Sequence, residues 1–219
     1  MISNLLLDLD GTLVDSSRGI YHSFVLACDN FSLSPPNYTS FCHLIGPPIQ
    51  KIATQLFPDL DLKTIEEFRR IFRLDYDNLS YKMYEWYPGV VDTIKELSTC
   101  PGISMSIVTN KPSLPALELI KSSGLRSCFS QIVGIDYLSV FSNGPVFSSK
   151  SEALSHVLLS SPVDLLKSAY VGDTLNDLDA CKRCNLQFIA ALYGFHRWHH
   201  QQMPPRCIAH FGEVQSFLR

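Results

Sequence analysis

Asn4-Leu5-Leu6-Leu7-Asp8-Leu9-Asp10-Gly11-Thr12-Leu13-Val14-Asp15-Ser16 is an apolar run that breaks into acids, a glycine and a threonine. Residues 4–9 read as a short strand, and Gly11 with Thr12 ends it. Side chains alternate along a strand, so Asp8 and Asp10 are expected on one side, at the carboxyl end where open α/β sheets bind their ligands. Like charges emerging from a leucine triplet are costly without a cation, which favours a functional pair over two solvated acids in a surface turn.

Later apolar runs repeat this form at residues 105–108, 131–134 and 169–171, with further strands expected at 188–192 and 207–209. Helical stretches at 114–122 and 151–159 fall between them. That alternation predicts an α/β fold, a Rossmann-like parallel sheet core flanked by helices. Between Asp15 and about Glu85 no strand is convincing, and residues 19–29, 49–57 and 64–78 carry apolar positions three and four apart, as amphipathic helices do. An inserted all-helical domain is therefore expected over 15–84, with the core formed by 1–14 and 85–219. Tyr87-Pro88-Gly89 marks the return to the core.

Two more strands deliver chemistry at their carboxyl ends. Residues 106–108 run into Thr109-Asn110-Lys111-Pro112, where Thr109 could hold a phosphate oxygen, although Thr-Asn before Pro is equally an ordinary turn or helix cap. Residues 169–172 run into Asp173-Thr174-Leu175-Asn176-Asp177. Asp177 has a structural reading as a first-turn acid that complements the helix dipole. Asp173, directly after a glycine on an apolar strand, is harder to place structurally. Up to four carboxylates would thus share one sheet edge, which calls for a hard divalent cation with oxygen ligands.

In order and spacing these motifs resemble the haloacid dehalogenase superfamily, in its phosphoglycolate phosphatase-like branch with a helical cap. The resemblance implies that Asp8 is a nucleophile and, with Asp173 and the backbone carbonyl of Asp10, a Mg2+ ligand. Asp10 would act as general acid and base, and Thr109 and Asn110 would cradle the phosphoryl group beside Gly11. The family lysine falls best on Lys150, before the helix at 151–159, with Lys111 as the competing position. Asp177 would hold a metal water or Lys150 in place. In the cap, His43, Gly46 and Arg73 are the candidates for substrate contact. Cys184-Asn185 stands where the family usually has Ala-Gly, and Asn tolerates the left-handed helix cap nearly as Gly does.

The implied activity is hydrolysis of a small phosphate monoester by a phosphatase, monomeric or homodimeric. Phosphomutase chemistry and 5'-nucleotidase-type specificity are alternatives on the same core, and a binding protein that lost turnover is disfavoured by the full set of acids. With 18 Lys and Arg, 21 Asp and Glu and no basic cluster, the 219-residue chain is not expected to bind nucleic acid. No apolar run approaches a membrane span, and an odd seven cysteines at irregular spacing suit a cytoplasmic protein. Cys181 and Cys184 with His196 and His199, in the tract 196–200, superficially resemble a zinc site. Cys at that helical spacing more commonly packs as a small hydrophobe.

Overall fold

The computed structural model of the chain describes residues 1–160 and 164–218, apart from the side chain of His200. It divides into two compact units, Met1–Val14 with Trp86–Arg219, and Asp15–Glu85.

The first unit begins with β1 (Asn4–Leu7). Short strands β2 (Val14–Asp15) and β3 (Glu85–Trp86) stand where the chain leaves this unit and returns to it. The second unit holds helices α1 (Ser17–Asn30), α2 (Tyr38–Cys42), α3 (Ile49–Leu56) and α4 (Leu62–Tyr76). Its core is aromatic. Phe24 on α1 lies 4.5 Å from Phe41 and 5.3 Å from Phe68, ring centre to ring centre, and all three are fully buried. Opposite this face α4 carries exposed Glu66–Arg69 and Glu67–Arg70 pairs, which supports the amphipathic reading.

After β3 the first unit continues through α5 (Val90–Thr99), β4 (Ser104–Val108), α6 (Ser113–Ser122), β5 (Gln131–Val133), α7 (Tyr137–Ser142), α8 (Lys150–Ser160), β6 (Ser168–Gly172), α9 (Leu175–Arg183), β7 (Gln187–Ala191) and β8 (Cys207–Ile208). Six strands form one parallel sheet in the order β5-β4-β1-β6-β7-β8. β1 is central, and Leu5, Leu6 and Leu7 are fully buried, as befits a parallel strand covered on both faces.

The register sets the site. Leu7 pairs with Ile107 on one side and Val171 on the other, so β1, β4 and β6 end together and the residues that follow them emerge at one edge. Strand β1 itself stops at Leu7, two residues short of expectation. The carbonyl of Leu9 accepts from the N–H groups of Thr12, Leu13 and Val14 at 3.3, 2.9 and 3.0 Å, a tight turn that Gly11 permits at φ +81°. Alternation along a strand therefore reaches Asp8 but not Asp10. Helix α5 had no counterpart in the sequence reading, although Val90, Ile94 and Leu97 have helical spacing and are buried.

Helix α9 ends at Arg183 with Cys184 as its cap, and Asn185 adopts φ +51°, the left-handed conformation expected of the residue after a helix cap. Asn185→Ala should lower the stability of the protein by roughly 1 kcal/mol, and Asn185→Gly should leave it unchanged or higher. Urea unfolding of the three proteins checks this, with Ala the least stable of the set.

Candidate active site

Three strand ends and two helix starts converge in the first unit. Asp8 follows β1 and is 5% exposed; its N–H still extends the ladder, donating to Val171 O at 2.9 Å. Asp173 follows β6 and is fully buried. Asp177 lies in the first turn of α9, also fully buried, and caps it: its Oδ2 accepts from the N–H and hydroxyl of Thr174 at 2.9 and 2.6 Å. Oxygens of these three carboxylates lie within 4.8 Å of one another.

Lys150 opens α8 and buries its ammonium between two of the acids. Nζ donates to Asp8 Oδ2 at 2.5 Å and to Asp177 Oδ1. The other oxygen of Asp8 accepts from Leu9 N–H at 2.7 Å. Asp177 thus both caps its own helix and holds the lysine. The competing lysine has a separate partner: the buried side chain of Lys111 reaches Asp10, 3.1 and 3.4 Å from its two oxygens. The four acids are consequently not one cluster. Three gather around Lys150, and the Asp10 carboxylate pairs with Lys111, because the turn at Gly11 carries Asp10 off the line of β1.

The electrostatics follow from that arrangement. Burial, with Asp177 adding to it, pushes Asp8 up to about 7 despite the attraction of Lys150. Burial, then the neighbouring Asp177 and Asp8, hold Asp173 well above the usual carboxylate range. Burial alone would pull Lys150 down, but Asp177 and Asp8 outweigh it and keep the ammonium charged. Three carboxylates share one ammonium, which leaves two negative charges unmatched when all are ionised. An all-oxygen set with that deficit fits a hard divalent cation.

Thr109, directly after β4, is buried; its N–H donates to Val133 O at 3.0 Å and its hydroxyl accepts from Lys111 N–H at 3.2 Å. Asn110 is half-buried beside it. Gly11 lies against the Asp173 carboxylate, so closely that a Cβ would overlap it. Its open side thus serves an acid of the cluster.

The cap candidates belong to the second unit. His43 is exposed at the end of α2, Gly46 sits in the following loop at φ +138°, and Arg73 forms an ion pair with Asp77 at 2.9 Å on α4. The zinc alternative gains nothing, since Asp8, Asp173 and Asp177 form the sole metal-competent group among the described residues. Cys181 is buried in the core of the first unit, and all seven cysteines are free.

Tyr170 escaped the sequence reading because it looks like one more apolar strand residue. Fully buried on β6, it donates its hydroxyl to Val108 O at 2.7 Å, across β1, and lays its ring 5.6 Å from Lys150 Nζ. It therefore joins the strand end before Thr109 to the lysine by hydrogen bond and cation–π contact.

A parallel α/β sheet that gathers buried acids and a lysine at the carboxyl ends of its strands has the design of a hydrolase built on this class of fold. The chain belongs to the haloacid dehalogenase-like hydrolase family, whose model matches residues 5–191. Phosphoglycolate phosphatase from Agrobacterium fabrum is 27% identical over 199 residues, 86% of this chain and 79% of that protein. Tyrosine-protein kinase PtkA from Mycobacterium tuberculosis is 25% identical over 193 residues, 88% of this chain but 63% of that protein. A haloacid dehalogenase-like hydrolase from Streptococcus pneumoniae has the same fold, with a TM-score of 0.87 at 23% identity and 100% and 99% of the two chains covered.

Removing the ammonium should expose the repulsion that it offsets. Lys150→Met should cost about 3 kcal/mol of stability, because it leaves buried acids unpaired. Urea denaturation near neutral pH measures it, and an unchanged midpoint would show that the two ion pairs contribute nothing to the fold.

Proposed function

We propose that the protein is a magnesium-dependent phosphatase for a small phosphate monoester and works through a phosphoaspartate at Asp8. The observation that carries this reading is the buried ammonium of Lys150 between Asp8 and Asp177, beside Asp173, at one end of the sheet. Phosphoryl transfer depends mainly on positioning and on neutralising charge spread over the equatorial oxygens, and that grouping suits both needs.

In the first step Asp8 attacks phosphorus, the ester P–O bond breaks, and Asp10 gives its proton to the leaving alkoxide. In the second, Asp10 takes a proton from water. The water oxygen bonds to phosphorus, and the Asp8–phosphorus bond breaks to release inorganic phosphate. Lys111 holds the Asp10 carboxylate, Lys150 balances charge on Asp8 and the phosphoryl group, and Thr109 with the Asn110 N–H binds phosphoryl oxygens. Asp8, the backbone carbonyl of Asp10 and Asp173 would hold Mg2+, which supplies positive charge that fixes nucleophile and phosphate together.

The helical unit would act as a cap over residues 15–84, on a core of 1–14 and 85–219, and exclude water during the first step. His43, Gly46 and Arg73 are its candidates for reading the substrate. A compact ester such as phosphoglycolate or a nucleoside monophosphate suits the reading, and the likeness to a phosphoglycolate phosphatase supports the first.

Phosphate release from a panel of such esters, with magnesium, with EDTA and with zinc in place of magnesium, tests the proposal. Release should need magnesium and stop with EDTA. Asp8→Asn should lose at least about 10³-fold in kcat, and Asp10→Asn about 10²- to 10⁴-fold. Wild-type turnover by Asp8→Asn would remove the covalent mechanism.

A further inference from the structure

The loop after β7 is an unassigned part of the site. Phe195 donates its N–H to Asp173 Oδ2 at 2.8 Å, while the other oxygen of Asp173 accepts from the hydroxyl of Thr12 at 3.3 Å. Gly194 lies so close to Asp173 and to the carbonyl of Gly11 that a Cβ there would overlap both. Tyr193 donates its hydroxyl to Thr12 O at 2.9 Å and sets its ring edge-on to Tyr87, 4.9 Å between centres. Three consecutive residues thus grip one buried carboxylate and the turn beside it.

We propose that Tyr193, Gly194 and Phe195 are positioning residues for metal binding, because their contacts fix the Asp173 carboxylate in the orientation that the cation needs. An aspartate carboxylate, two single bonds from its backbone, can rotate, and each rotation away from the cation weakens binding. Donors on both of its oxygens remove that freedom before the metal arrives, as outer hydrogen bonds do for ligands generally. Gly11 and Gly194, themselves in contact, both bring their backbone against Asp173 and narrow the space its side chain can occupy. Tyr193 extends the same restraint to Thr12, whose hydroxyl is the second donor. A loop that merely closed β7 would have no need to place a backbone donor on a buried acid.

This inference rests on the reading of Asp173 as a metal ligand. The decisive experiment is calorimetric titration of the metal-free protein with magnesium chloride, alongside its thermal midpoint without metal, for wild type, Tyr193→Phe and Gly194→Ala. Gly194→Ala should weaken magnesium binding roughly tenfold or more, and Tyr193→Phe roughly threefold, the loss of one hydrogen bond in a chain of two. Should Gly194→Ala fail to fold, Tyr193→Phe decides alone. Variants with lower thermal midpoints but wild-type magnesium affinity would overturn the inference and leave the metal reading standing. A wild type that binds no magnesium would overturn both.

Discussion

The rest of the α/β unit is organised around a buried charge that no single element can satisfy. Asp8, Asp173 and Asp177 come from β1, from the end of β6 and from α9, and Lys150 comes from α8. Isolated in an apolar interior any of them would be neutral or would destabilise the fold. Lys150 and its two partners Asp8 and Asp177 make one another tolerable, while Asp173, crowded by both acids, is held by the Thr12 hydroxyl and the Phe195 N–H. The sheet order places β1 between β4 and β6 so that their ends coincide, α8 and α9 pack together, and the ammonium bridges the acids. Packing and charge are two accounts of the same requirement here.

This constraint also explains which residues are small. Gly11, Gly172 and Gly194 each lie where a Cβ would overlap an acid, the first and third against Asp173 and the second against Asp177. Only Gly11 of the three needs its left-handed backbone. For the other two, the lack of a side chain is the property used, since the acids must approach the backbone closely to approach one another.

Much of this was legible in the sequence wherever the signal was local. Apolar runs ending in Asp8, Thr109 and Asp173 announced three parallel strands and the edge at which they end, and helical spacing announced α1, α3 and α4. What escaped depends on contacts between distant segments. Nothing near Lys111 says that it faces Asp10, and nothing near Tyr170 says that its hydroxyl crosses a neighbouring strand to Val108. Tyr193-Gly194-Phe195 looks like the plain end of a strand until folding brings it to Asp173. The misjudged end of β1 has a different cause: Leu9 is as apolar as a strand residue and fully buried, yet its carbonyl serves the turn that follows.

The central place of β1 has a consequence for how the chain is made. Asn4 meets Ser168 side chain to side chain across 164 residues, and β4, its nearer neighbour in sequence, begins at Ser104. On a ribosome the first strand therefore waits, unpaired and leucine-rich, while the whole of Asp15–Glu85 emerges and can close its own aromatic core. Long-range strand pairing is slow because the chain must be closed into a loop before any contact repays the loss of freedom. The helical unit can mature first, and the acids of Asp8 and Asp173 become neighbours only after the whole stretch between them has been synthesised. Assembly of the acid cluster therefore waits on distant sequence, and the unpaired Leu5-Leu6-Leu7 segment is where a chaperone would have reason to bind before it.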